Sequence, residues 1–90
     1  MNFILSEHIL KQALEREIDL RLIEDILDSP DQIVDDESGE VGQKVYQSIV
    51  KLSEKKTYLV RVCVNTDKQP NVTKTVYLTS KIRRYYEGEI

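Results

Sequence analysis

The segment YLVRVCV, residues 58–64, decides the fold of this 90-residue chain. It is the most β-prone stretch of the sequence, because aromatic and β-branched side chains suit a pleated, half-buried surface. Successive side chains of a strand point to opposite faces. One face carries Tyr58, Val60, Val62 and Val64, and the other carries Leu59, Arg61 and Cys63. The alternation predicts a central strand with one face in the core and the other partly open.

Further strands are predicted on both sides of this segment. They cover residues 32–34, 44–52 and 72–79, and a short apolar run at residues 3–5 is typical of an edge strand. The connections are an acidic loop at 35–40, a turn at 53–56 and a loop at 65–71. Sequential strands with short connections indicate an antiparallel meander.

Two helices are predicted before the meander. Ser6 and Asp19 are good N-caps, and the apolar period predicts helices over 7–17 and 20–28, the second ended by Ser29-Pro30. The side chains predicted to face inward are Ile9, Leu10, Ala13, Leu14, Leu22, Ile23, Ile26 and Leu27. The fold class is therefore α+β. We expect one domain, residues 1–90, with two helices on one face of a four- to five-stranded, mainly antiparallel sheet. The element order is β-α-α-β-β-β-β, with a short helix near 81–86.

Composition excludes several classes of protein. Apolar residues make up 40% and charged residues 32% of the chain, which is typical of a globular domain. No apolar run approaches the roughly 18–20 residues of a membrane span, and no signal peptide is recognisable. The single cysteine, Cys63, is consistent with a reducing cytoplasm. The acidic loop lacks the spacing of a calcium site, so we predict no metal and no cofactor.

Charge is distributed unevenly along the sequence. Residues 1–40 contain three Lys or Arg and twelve Asp or Glu, a formal charge of −9, whereas residues 41–90 contain ten and four, a charge of +6. One interpretation is a basic working surface on an acidic body. The other is that helices carry acidic solvent faces and strands favour lysine.

Four short motifs occur in a recognisable order: Ser6-Glu7-His8, then Arg16 before Ile18, then Ser29-Pro30-Asp31, then TVYLTSK at residues 75–81. In this order the chain resembles the RelE/ParE-like toxin superfamily, nearest to its small bacterial members of unknown function. Glu17 departs from the pattern, which often has glycine there, and a non-glycine residue at that helix end costs about 1 kcal/mol. The resemblance implies an antitoxin partner encoded nearby. Some such toxins cleave mRNA and others poison DNA gyrase.

Metal-independent RNA cleavage requires a base, a cation for the developing phosphorane charge and an acid. His8 is the only histidine and the natural acid or base near neutral pH. Lys81 and Arg83 are the candidate catalytic cations. His8 lies in the first turn of its helix and off the apolar stripe, so the alternative is a capping role or a supporting role behind the residues that contact the substrate.

RNA binding is predicted on the open sheet face and the segment that follows it. The candidate residues are Arg61, Tyr77, Thr79, Arg84 and Tyr85. Arginine beside tyrosine on one surface suits phosphate contact and base stacking. The alternative is that Tyr77 only packs and the charges are solvated.

The leading hypothesis is a toxin-like domain that binds or cleaves RNA, as a metal-independent endoribonuclease if it is an enzyme. The alternative is a non-catalytic protein-interaction domain that keeps the fold. A gyrase-type poison, which needs only protein contacts, is third. The expected partners are an antitoxin protein and RNA, with no membrane and no small-molecule cofactor.

Overall fold

The fold is a five-stranded sheet covered on one face by two helices, seen in a computed structural model that describes residues 3–36 and 41–88. The elements are β1 (Phe3–Leu5), α1 (Glu7–Glu15), α2 (Leu20–Asp28), β2 (Gln32–Asp35), β3 (Gln43–Ser53), β4 (Lys56–Asn65), β5 (Asn71–Thr79) and α3 (Ile82–Tyr85). The strand order is β1-β5-β4-β3-β2. Strands β2 to β5 form the antiparallel meander, whereas β1 pairs in parallel with β5. The predicted α+β class and the central position of β4 are confirmed.

Both helices begin at the predicted caps. The Ser6 hydroxyl accepts a hydrogen bond from the Ile9 amide (3.2 Å), and the Asp19 carboxylate accepts one from the Arg21 amide (2.9 Å). Helix α1 ends earlier than the predicted 7–17, because Glu17 takes a left-handed conformation with φ of 55°. The Ile18 amide then donates to the Ala13 carbonyl at 2.8 Å, the closing bond of a Schellman motif. This termination turns the chain directly into α2.

The core lies between the helices and one sheet face. Its buried members are Ile9, Ala13, Ile18, Ile23, Ile26, Leu27, Val60, Val62, Val64 and Val76. The prediction that Leu10 and Leu14 face inward was wrong, since their exposed fractions are 40% and 82%. The short α1 lies against β5, near the sheet edge, and it buries only Ile9 and Ala13. Gln12 and Arg16 hold α1 against the edge of β5, and the rest of the apolar stripe, Leu10 and Leu14, faces away from this contact.

Side chains of α1 also complete the edge of β5 beyond the end of β1. Strand β1 pairs only with residues 71–73. Further along, Gln12 Oε1 accepts from the Val76 amide (3.0 Å) and Arg16 Nη1 donates to the Val76 carbonyl (2.6 Å). Unpaired edge groups are open to other strands, so these two side chains protect the edge as a longer β1 would.

Residues 37–40 of the predicted acidic loop, 35–40, lie outside the described residues. Asp35, at the end of β2, forms an ion pair with Lys44 at the start of β3. Within residues 3–36 and 41–88, no helix has the length and apolar character required to cross a bilayer.

Candidate functional site

The C-terminal segment, residues 81–88, lies against the sheet through Gln32 of β2 and Gln47 of β3. Gln47 Nε2 donates to the Tyr85 carbonyl (3.1 Å). Gln32 Nε2 donates to the Glu87 carbonyl (2.9 Å), and Gln32 Oε1 accepts from the Glu87 amide (2.8 Å). Because a side-chain amide has both donors and an acceptor, these two glutamines bind the backbone of the segment much as a strand would. They place α3 beside Arg61.

Arg61 lies at the centre of the site and is only 5% exposed. The strand register places it between Gln47 and Tyr77 on the neighbouring strands. Its Nε donates to Gln47 Oε1 (2.9 Å) and its Nη1 donates to the Tyr77 hydroxyl. The guanidinium carbon lies 4.3 Å from the centroid of the Tyr85 ring and 5.6 Å from that of Tyr77. Both distances allow cation–π attraction.

The charge of Arg61 has no carboxylate partner among the residues that the structure describes. A buried charge is costly unless hydrogen bonds or an opposite charge compensate it. Here the compensation comes from neutral groups, namely two tyrosines and Gln47. Burial raises the pKa of the Tyr77 phenol above its ordinary value, and the adjacent Arg61 opposes this only in part. Tyr77 therefore remains a neutral phenol at physiological pH and accepts from Arg61.

Three exposed cations lie in the C-terminal segment beside this cluster: Lys81, Arg83 and Arg84. The Arg84 guanidinium carbon lies 5.4 Å from the centroid of the Tyr85 ring. The hydroxyl of Thr79, the last residue of β5, accepts a hydrogen bond from the Lys81 amide (3.1 Å) and so positions the first residue of the segment. We call the surface formed by Tyr77, Lys81, Arg83, Arg84 and Tyr85 the C-terminal face. It can offer positive charge beside two half-buried aromatic rings.

The structure brings together most of the residues predicted to bind RNA. Arg61, Tyr77 and Tyr85 are in contact, Arg84 lies beside Tyr85, and Thr79 positions Lys81. Arg61 itself is covered, so its role in this state is to hold the two tyrosines.

The three residues predicted to be catalytic do not form a contacting group. His8 is exposed in the first turn of α1. In the described part of the chain no hydrogen bond or ion pair joins His8 to Lys81 or Arg83. Their catalytic role stays a prediction.

Sequence reasoning missed Gln32 and Gln47, the two residues that hold the site together. Gln47 is fully buried, and a polar residue inside a strand was the available signal. The residue opposite Gln47 on β4 could not be predicted from the length of the β3–β4 turn, because a bulge between Lys51 and Ser53 shifts the register. Counting back from the turn would have placed Gln47 opposite Val62 instead of Arg61.

Comparison with known families gives a match to most of the chain. The family described as Domain of unknown function (DUF4258) matches residues 5–78, from the end of β1 almost to the end of β5. Searches of curated proteins and of solved structures found no significant match. The matched region contains both helices, the meander and the residues that pack around Arg61 on the sheet, and it stops before α3. The chain belongs to the DUF4258 family of domains of unknown function.

Proposed function

We propose that this domain is a RelE/ParE-like domain of the toxin–antitoxin type that binds single-stranded RNA through its C-terminal face. The observation that supports the proposal is the contact of exposed Arg84 with the ring of Tyr85, in a short segment that also contains the exposed cations Lys81 and Arg83. Cations contact phosphates, and an aromatic ring stacks on any base. This combination favours a flexible single strand, whose bases are free to stack.

The charge distribution supports the same proposal. The half of the chain that contains both core helices has a formal charge of −9, and the half that contains the C-terminal face has +6. A basic surface attracts a polyanion, and an acidic one repels it.

RNA binding and RNA cleavage are separate properties, and the domain could bind RNA without cleaving it. Cleavage without a metal would use His8 as acid or base, with Lys81 and Arg83 stabilising the developing charge. Replacing His8 with Gln should then abolish cleavage of a bound oligonucleotide and leave its affinity unchanged. Equal cleavage rates for the two proteins would exclude His8 from the chemistry.

Fluorescence anisotropy with a labelled eight-nucleotide RNA tests binding directly. The double variant Lys81→Ala/Arg83→Ala should weaken binding at least tenfold. The matched control is Lys68→Ala/Lys74→Ala, which removes the same charge from exposed lysines before and within the first half of β5. Equal losses in the two variants would mean that only net charge matters. Absence of binding by the unmodified protein at about 50 mM salt would contradict the proposal.

Growth of a bacterial culture tests the toxin-like character. Expression of the domain without a partner should arrest growth, and the Lys81→Ala/Arg83→Ala variant should relieve the arrest at equal soluble expression. Normal growth with abundant folded protein would favour the second candidate function.

That second candidate is protein binding through the corner between α1 and α2. Leu10, Leu14 and Leu20 are exposed there around a cleft of about 460 Å³ whose floor contains Ala13 and Ile18. Glu17 and Asp19 also line this cleft. Exposed leucines beside carboxylates fit an amphipathic helix with basic flanks, such as an antitoxin segment would supply.

A lysine-flanked, leucine-rich helical peptide tests this candidate. It should bind the protein, and Leu14→Ser should weaken binding at least tenfold, whereas Ile33→Ser, at an exposed isoleucine of β2, should not. Equal binding of a glutamate-flanked peptide would exclude charge recognition. Self-association that Leu14→Ser abolishes would identify the occupant as a second copy of the chain.

A further inference from the structure

A second concave surface lies at the end of the sheet where β3 turns into β4. This groove has a volume of about 660 Å³. Two cations, Arg16 and Lys56, and two tyrosines, Tyr58 and Tyr77, line it together with Glu17, Leu52 and Leu78. We call it the hairpin-end groove. Tyr77 belongs both to this groove and to the C-terminal face, so the two surfaces meet at that residue.

The cations of the groove are available to a ligand. The bond from Arg16 Nη1 to the Val76 carbonyl fixes the guanidinium at the edge of β5. Among the described residues, no other nitrogen of that side chain has an acceptor, and neither Arg16 nor Lys56 forms an ion pair. A guanidinium held on one side and free on the other is well placed to contact a phosphate oxygen.

The strand edge adds backbone groups to the same groove. The amide and the carbonyl of Val76 both point toward α1. Because this direction alternates along a strand, the amide and carbonyl of Leu78 point to the same edge, beyond the reach of β1. They offer one donor and one acceptor beside Tyr58 and Tyr77.

The mixed lining points to a nucleotide instead of a free anion. Glu17 offsets one of the two cations, so inorganic phosphate alone gains little there. A nucleotide has a phosphate for Arg16 and Lys56, a base for the ring of Tyr58, and hydroxyls that donate to Glu17. The apolar surface of Leu52 and Leu78 suits the base as well.

We propose that the hairpin-end groove is a nucleotide-binding site that, in the RNA complex, holds the nucleotide next to those on the C-terminal face. This inference rests on the proposed function, which it extends past Tyr77 to the edge of β5 that faces α1. The phosphate lies against Arg16 and Lys56, and the base lies against Tyr58.

Two single variants and a neighbouring control test the groove with the same eight-nucleotide RNA. Lys56→Ala should weaken binding about fivefold, and Lys55→Ala should not, since Lys55 is an exposed neighbour that does not line the groove. Tyr58→Leu keeps an apolar side chain in β4 and removes the ring, and it should weaken binding at least fivefold. Thermal unfolding monitored by circular dichroism confirms that each variant is folded.

The outcomes separate this inference from the proposed function. If Lys81→Ala/Arg83→Ala weakens RNA binding and the groove variants do not, the inference is wrong and the proposed function stands. If the unmodified protein binds no RNA, the proposed function is wrong, and an NMR titration with adenosine 5′-monophosphate decides on the groove. Changes in amide chemical shift would support the nucleotide site if they are confined to residues around Arg16, Lys56 and Tyr58. The same changes should be absent in Lys56→Ala. Their absence at millimolar ligand would overturn it.

Discussion

At the scale of single residues, Glu17 carries a conformational cost that glycine would remove. Its φ of 55° is in the left-handed region, where a Cβ atom costs about 1 kcal/mol. Glu17→Gly should therefore raise the free energy of unfolding by about 1 kcal/mol, measured by denaturant titration. Glu17→Ala is the control, because it removes the charge and keeps the Cβ. A gain in both variants would assign the effect to the charge and contradict the backbone explanation.

Tyr77 couples the site to stability at high pH. Burial raises the pKa of its phenol above the ordinary value of 10.0, so the folded state binds the proton more tightly than the unfolded state. This contribution to stability is fully present below pH 10 and is lost as the pH rises through the higher pKa of the folded state. The free energy of unfolding should fall as the pH rises above 10, and it should fall less in Tyr77→Phe. The same decline in both proteins would contradict this assignment.

The position of Arg61 on the sheet was predictable from the sequence, but its burial was not. Period two placed Arg61 and Tyr77 on the open face, and the structure brings them into hydrogen-bond contact. Burial of Arg61 was not predictable, because it depends on how α3 returns to the sheet. Three hydrogen bonds to Gln32 and Gln47 determine that return, and they join segments more than 35 residues apart.

At the scale of elements, α2 should be the helix most sensitive to truncation. Ile26 is 3% exposed and belongs to the core. Ile26→Ala should lower the free energy of unfolding by roughly 2–5 kcal/mol, a large share of the stability of so small a domain. Ile33→Ala is the control, since Ile33 is 50% exposed and should change stability by well under half as much. An unshifted melting transition for Ile26→Ala would contradict the assignment of α2 to the core.

The elements themselves were largely predictable, because their apolar periods and caps are local. Helix α2 has the predicted bounds, Leu20–Asp28, and β4 extends the predicted 58–64 by two residues at its start and one at its end. The properties that were not predicted depend on the surroundings of each element. Periodicity identifies the apolar stripe of α1, but it does not say that the sheet beneath covers Ile9 and leaves Leu14 exposed. Similarly, the parallel pairing of the three-residue β1 with β5 joins residues that are distant in sequence.

At the scale of the whole molecule, the proposed RNA binding should depend on salt in a calculable way. Each phosphate neutralised by the protein releases condensed counterions, and for a single strand this contributes a slope of about −0.7 to log K against log salt. The three exposed cations of the C-terminal face, Lys81, Arg83 and Arg84, should therefore give a slope near −2.

The slope also separates the contributions of charge and stacking. Arg84→Ala should flatten it by about 0.7 and weaken all RNA sequences alike. Tyr85→Phe keeps an aromatic ring and should change neither slope nor affinity. Tyr85→Ala should weaken binding by about 1–3 kcal/mol with the slope unchanged, because stacking displaces no ions. A slope near zero for the unmodified protein would mean that phosphates do not contact this face. RNA binding would then have to rest on the aromatic rings alone, and the basic half of the chain would be an ordinary solvated surface.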